Sequence, residues 1–471
     1  MTHRHGITLT IALALSGCWV ESTTHNNQTG NWPVDTDTLI GTGVAGRITS
    51  VGASSVDFLP TKPTALAGFG SLSRRLFPPV FGADSAVSYC RDYQQVKDPP
   101  RIKAAVLNLE PDARSEQSKV FFISLDLVAV TADLSKKIMT TVDEIFGSGT
   151  SKVSNTFITA THTHSGPAGL TENPVWGSFV CDSYNESLTA DYLDKIKTTL
   201  TTADSLAVPI IEVQSQSWKA ESYLKSRIQG MDADTSVSLI KFVPKDGVSP
   251  LALLEMAVHP TTLGAKTLTL SADLVTPLEN AFAAEFSIEN VFLMQTHAGN
   301  MESNRGSRNT AEWAQALAQE FKTTNNSARI LSLNLESSAS TISLPSKTIN
   351  WKGCQAEAAR YFVSLPILEE LPTHVPITKL QLGELTRLYL PGEWTSSAAQ
   401  QTFAFINGNF QNVQSDLKIL SMAYDYSGYH IDRDFYEKTS IEACSSLYGR
   451  NGVEDIMSSL KQTKLFTLKQ P

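Results

Sequence analysis

The sequence predicts an α/β fold, mixed sheets with flanking helices in one large domain, on three observations. Strand-like apolar runs alternate with helix-period segments along most of the chain. Some strands follow one another with no helix between them, which calls for antiparallel pairing. No Pro/Gly/Ser-rich linker or composition shift divides the chain from residue 39 to residue 471.

In order, Ala104 to Leu109 and Lys119 to Val130 are near-continuous apolar runs, expected as buried strands, and Leu134 to Phe146 carries the spacing of an amphipathic helix. Val153 to His164 reads as a strand, Leu188 to Leu206 as a helix, and Ser236 to Phe242 and Leu251 to His259 as strands. Then follow a strand from Ile288 to Thr296, helices over Thr310 to Phe321 and Gln355 to Phe362, a strand over Leu385 to Leu390 and a helix over Ser396 to Phe405.

The N-terminus has its own character. Arg4, the apolar stretch Ile7 to Leu15 and the ending Leu15-Ser-Gly-Cys18 have the pattern of a bacterial lipoprotein signal, too short for a permanent span. Residues 1–17 are expected to be removed, leaving Cys18 lipidated and the protein anchored to a membrane in the bacterial cell envelope. Residues 18–38 are polar, without apolar period, and read as a tether.

Composition excludes several classes. The net charge of −9, with acids and bases interspersed and no basic stripe, makes nucleic acid a poor partner. Besides Cys18 there are Cys90, Cys181, Cys354 and Cys444, none in a CxxC pair, so thiolate zinc or redox chemistry is not expected. Up to two disulfides could form, with the pairing open.

The candidate chemistry starts at His162 and His164. They end the alternating run Asn155-Thr-Phe-Ile-Thr-Ala-Thr-His-Thr-His-Ser-Gly-Pro167, and positions i and i+2 of a strand share a face. Alone, His-x-His is also the pattern of an ordinary surface strand, so the question is what joins it. Two further strand mouths offer ligands. The apolar run Leu251 to Val258 ends in His259-Pro260, and Leu385 to Leu390 ends in Pro391-Gly392-Glu393, just ahead of a helix that Ser396 or Ser397 could cap. A carboxylate near a helix N-terminus is favoured in the charged form that binds a cation.

Taken together these segments resemble the catalytic part of the neutral, non-lysosomal ceramidase family, zinc amidases that cleave the N-acyl bond of ceramide. Ala160-Thr-His-Thr-His-Ser-Gly-Pro167 is similar to the family's ATHTHSGP. Ala67-Gly-Phe-Gly70, Ser124-Leu-Asp126, Ala257-Val-His-Pro-Thr261, Ser271-Ala-Asp273, Leu390-Pro-Gly-Glu-Trp-Thr395, Tyr426-Ser-Gly-Tyr429 and Ser446-Leu-Tyr-Gly449 follow in the family's order. The resemblance spans about residues 39 to 450. It implies a zinc ion (Zn2+) held by His162, His259, Glu393 and Tyr429, with His164 beside the metal as a hydrogen-bonding or proton-transfer group. Imidazole, carboxylate and phenol oxygen are sound zinc ligands, at about 2.0 to 2.2 Å for nitrogen and carboxylate donors. Arg227, loosely matching an arginine after the family's N-R-S motif, would aid the substrate oxygen.

The departures bear on function. Where the family has Gly-Asp-x-Ser-Pro-Asn, this chain has Gly299-Asn-Met-Glu302-Ser-Asn304, so Glu302 occupies the position of the proposed serine. A serine nucleophile is thereby weakened, whereas a metal-activated water survives, with Glu302 a candidate base or shuttle. Ile441-Glu442 stands where the family has tyrosine before glutamate. No C-terminal immunoglobulin-like domain is expected. Two classes follow: a zinc-dependent amidase acting on ceramide or another N-acyl lipid, or a ligand-binding lipoprotein that kept the fold without turnover. A serine hydrolase is a poor third, since there is no G-x-S-x-G elbow.

Overall fold

The computed structural model describes residues 32, 43–69, 72–81, 87–113, 115–179, 182–324, 327–354, 365–411, 413 and 416–470. The expected signal segment, Cys181 and the expected helix Gln355 to Phe362 lie outside the described residues. Trp32, within the expected tether, is 1% exposed and packs in the main core, with Lys136 Nζ 5.5 Å from its ring centre.

The organising element is a branched 13-stranded sheet. The long strand Val44–Asp57 serves as its hub: its start pairs with Asn334–Ser343, its length with Arg101–Pro111, and its middle with Val208–Lys219, all antiparallel. Strands joined without a helix are antiparallel, as expected: Arg101–Pro111 with Lys119–Leu125, and Ser236–Pro244 with Ser249–Met256. The mixed α/β class read from the sequence is the observed one.

Three β-α-β crossovers among the described residues matter most. Lys119–Leu125 and Thr156–Ala160 are parallel neighbours joined through helix Ala132–Phe146. Ser249–Met256 and Ile288–Gln295 are joined through Val275–Phe286, and Leu385–Tyr389 and Asp416–Leu420 through Ser396–Asn409. Parallel strands need such crossovers, and burial of both faces explains runs such as Leu251 to Met256, all buried. Helix Ala132–Phe146 turns Leu134, Ile138, Met139 and Val142 inward at helical spacing. Rings from separate branches close the core: Phe122 stacks on Phe157 at 5.0 Å, and Phe157 meets Tyr389 at 4.7 Å.

The carboxyl ends of the three crossovers converge. Ala160 N–H donates to Met422 O, Ser421 N–H to Gln295 O and Met422 N–H to Gly392 O. Gln295, 1% exposed, fastens the ends: its Nε2 donates to Thr161 O at 2.8 Å and Val258 O at 2.6 Å, while its Oε1 accepts from Val258 N–H. Open α/β sheets bind ligands at such strand ends.

Two expected strands run shorter than read. The expected strand Lys119 to Val130 stops at Leu125, because Asp126 turns in to a buried Lys103, and the expected strand Val153 to His164 forms only over Thr156–Ala160. His162 then has φ +69°, so the i, i+2 strand geometry does not bring the two histidines together. A left-handed kink between them does.

Candidate metal centre

His162 Nε2 lies 3.1 Å from His259 Nε2 and 3.0 Å from Glu393 Oε2, and His259 Nε2 lies 3.1 Å from the same carboxylate oxygen and 3.3 Å from the Tyr429 hydroxyl. All four residues are at most 6% exposed. The structure thus brings together the four expected metal ligands, one or two from each crossover end.

Backbone ladders aim these groups. Glu393–Trp394 pairs in parallel with Tyr429–His430, setting the carboxylate opposite the phenol. Gly392 enters this ladder at φ +72°, and a Cβ there would stand 2.6 Å from Gly428 O, so only glycine fits. The following helix is capped by Thr395, whose Oγ1 accepts from Ala398 N–H. The expected caps Ser396 and Ser397 instead donate to Asp232 O and the Asp432 carboxylate. Glu393 Oε1 accepts from the Tyr426 hydroxyl, which leaves Oε2 facing the histidines.

The donor set fits a cation on hydrogen-bond grounds. His162 Nδ1 donates to Val128 O at 2.6 Å and His259 Nδ1 to Ala298 O at 2.8 Å, which commits each ring's proton to the backbone side. Burial, with Arg227 nearby, pushes the His259 imidazolium down to about 3, so that ring is neutral near pH 7. Burial opposes the Glu393 charge, but His162 and His259 outweigh it and hold the carboxyl well below its ordinary range. Two imidazole Nε2 atoms and a carboxylate oxygen therefore converge on one point, the kind of donor set that holds a cation. Burial, then Glu393, pushes the Tyr429 phenol well above its ordinary value, an effect a bound cation reverses.

His164 Nε2 lies 3.2 Å from His162 Nε2, and the nitrogens of His162, His164 and His259 fall within 4.8 Å of one another. Distance alone does not separate His164 from a ligand. Its buried Nδ1, however, has no hydrogen-bond partner, so nothing fixes its tautomer. Burial first, and His162 and His259 next, hold its imidazolium well below the usual value. Phe69 packs edge-on to the ring at 4.8 Å, and a Cβ at Gly68 would stand 2.7 Å from His164 Cβ.

Arg227 also reaches the cluster. Its Nη2 donates to the Tyr429 hydroxyl and to Gly299 O, each at 2.9 Å, and its Nε donates to Glu442 Oε1 at 2.5 Å. Glu302 does not join. It sits on Met301–Ser303, paired with Leu224–Ser226, and its carboxylate lies 3.1 Å from Lys225 Nζ with 37% of the side chain exposed. Met301 takes the inward face, 0% exposed, so the alternation of the strand turns Glu302 outward, contrary to the expected shuttle role.

Sequence reasoning missed Gln295, Tyr426 and Glu442 as builders of the site. A narrow apolar cavity of about 30 Å3, lined by Ala67, Leu127, Val128, Leu134, Trp176 and Tyr426, adjoins it. A cavity of about 620 Å3 between Gly46, Glu110, Leu335 and Glu384 lies at the opposite strand ends and holds none of the cluster.

Two solved structures share this architecture. Neutral ceramidase from Pseudomonas aeruginosa superposes with a TM-score of 0.69 at 17% identity, covering 88% of this chain and 73% of that one. A ceramidase complexed with C2 superposes at 0.67 with 16% identity, covering 90% and 76%. No protein-family model matches the sequence, and no curated protein does. The chain has a neutral ceramidase-like fold.

Proposed function

We propose that this protein is a zinc-dependent amidase that hydrolyses the N-acyl bond of ceramide or a related N-acyl lipid. The observation that carries the reading is the convergence of two tautomer-fixed imidazoles, a carboxylate and a phenol on one point. His162, His259, Glu393 and Tyr429 would hold the zinc. When bound, the ion supplies a water acidic enough to attack at neutral pH and polarises the acyl carbonyl.

The chain's own groups do the rest. His164, neutral and with no backbone acceptor on Nδ1, takes the proton of the attacking water at Nε2 and returns it to the departing amine nitrogen. Arg227 is held by Nε and Nη2, and Nη1 has no protein acceptor among the described residues. That N–H donates to the acyl oxygen as negative charge builds on it.

The Leu15 to Cys18 segment, read as a lipidation signal, would keep the enzyme on the membrane that carries such a substrate. No described helix is long and apolar enough to cross a membrane. The test is release of fatty acid from N-acyl sphingosine by the zinc-loaded protein, abolished by chelator and by His162→Ala. Absence of release across several acyl amides, with zinc bound, would favour a binding protein that kept the fold.

A further inference from the structure

We propose that Glu442 is a positioning residue that aims the Arg227 guanidinium at the reacting centre. The inference rests on the metal-amidase reading and adds to it a group that touches neither metal nor substrate.

Arg227 leaves the short strand Leu224–Ser226 with its backbone N–H bonded to Asn300 O, and its side chain crosses to a segment 215 residues away. There the Glu442 side chain, 4% exposed, takes the Nε–H. Nη2 is occupied by Tyr429 and Gly299, with His259 Nε2 3.3 Å away. With these two nitrogens bonded, the planar fork has one orientation, and Nη1 is its remaining donor. The side chain is still 25% exposed, so the fork is open on one side. A guanidinium with only the Tyr429 and Gly299 bonds could pivot about Nη2, carrying Nη1 off the acyl oxygen; the second anchor removes that freedom.

Glu442 is itself held unusually firmly for a residue on a four-residue helix, Ile441–Cys444. Ser440 caps that turn by accepting from Ala443 N–H, Asn350 Nδ2 donates to Ala443 O, and Ser446 Oγ donates to Glu442 O. Cys444, two residues on, is disulfide-bonded to Cys354. The same segment supports a metal ligand, since Tyr429 N–H donates to Ser445 O at 3.1 Å. A turn tied at four points and carrying one buried carboxylate onto one arginine is built to fix that arginine.

The test is a double-mutant cycle of Glu442→Gln and Arg227→Met in the full zinc-loaded protein. Inorganic phosphate binding by calorimetry serves as an oxyanion probe beside N-acyl amide turnover. Glu442→Gln keeps the shape, and its expected effects are an about tenfold weaker phosphate affinity and an about 30-fold lower kcat with little change in KM. In the Arg227→Met background the same substitution should change either quantity by less than about threefold, because its effect runs through the arginine. Equal losses in both backgrounds, or a Glu442→Gln protein that binds phosphate and turns over like its parent, would overturn the proposal. A parent that binds no zinc would overturn the metal-amidase reading, a different outcome from zinc binding with a silent Glu442.

Discussion

His162 Nε2 and His259 Nε2 stand 3.1 Å apart across 97 positions of sequence, and each ring has its Nδ1 proton committed to a backbone carbonyl. The two Nε2 atoms face each other there with Glu393 Oε2 beside both. Glu393→Gln keeps the volume but removes the anion. Its expected consequence is a zinc affinity reduced by more than the about 10–100-fold that follows loss of a mere outer-shell partner. The zinc-dependent rise in thermal midpoint should vanish with it, as competition against a chelator and calorimetry would show.

Gly68 sets His164. Its φ is +124°, and an added Cβ would meet His164 Cα and Cβ at 2.7 Å. Gly68→Ala therefore strains the backbone by about 1–3 kcal/mol and displaces a ring argued to move a proton without holding the metal. The expected outcome is an about 100-fold loss in kcat at unchanged zinc stoichiometry, as when a reacting group moves by about 1 Å. Loss of zinc in this variant would make His164 a ligand.

Much of this site was legible in the sequence because strand mouths are legible. His259 follows an apolar run and precedes Pro260, Glu393 follows one across the Pro391-Gly392 turn, and the folded chain puts them together. His162 and His164 were also legible as a pair, although the kink at His162, not strand alternation, brings them together. What sequence could not show was long-range polar support. Gln295 falls at the end of an expected strand, and Tyr426 and Glu442 fall in motif segments, but none of the three carries a role in the sequence, because their partners lie more than 30 positions away. Glu302 went the other way: its position in the motif promised chemistry, and its pairing with Lys225 faces it outward.

Acid should weaken the fold through its buried imidazoles. Burial pushes both His259 and His430 down to about 3, against about 6.5 in the unfolded chain. The unfolded state then binds more protons between those values, so this contribution to stability is complete above about pH 6.5 and is lost as pH falls toward about 3. His430 accepts or donates at Ser427 Oγ, 2.8 Å away, and is not one of the proposed ligands. In the metal-free protein, His430→Gln should flatten the dependence of unfolding free energy on pH across this window by up to about 1.4 kcal/mol per pH unit. Denaturant titrations at several pH values would measure it; an unchanged slope would mean His430 is already protonated in the fold.

The approach to His162 rests on a buried charge cluster. Lys103, 1% exposed, has its Nζ 2.8 Å from Asp126 Oδ1 and 2.7 Å from Glu279 Oε1. Asp126 Oδ1 also accepts from Thr161 Oγ1, one residue before His162, and its Oδ2 accepts from Arg101 N–H. Glu279 Oε1 accepts from Leu293 N–H on the strand that ends in Gln295. Lys103→Met fills the space but strands two carboxylates, with only Arg101 left to answer Glu279. Breaking one side of a buried ion cluster costs about 3–5 kcal/mol, so unfolding free energy should fall by about that much. Neutralising Glu279 as well, in Lys103→Met/Glu279→Gln, should recover part of the loss, since one orphaned charge goes with it. Because Asp126 and Gln295 both hold Thr161, the residue before His162, Lys103→Met should also weaken zinc binding, while Lys103→Arg should keep both properties only in part, its wider fork fitting poorly between two carboxylates placed for an ammonium.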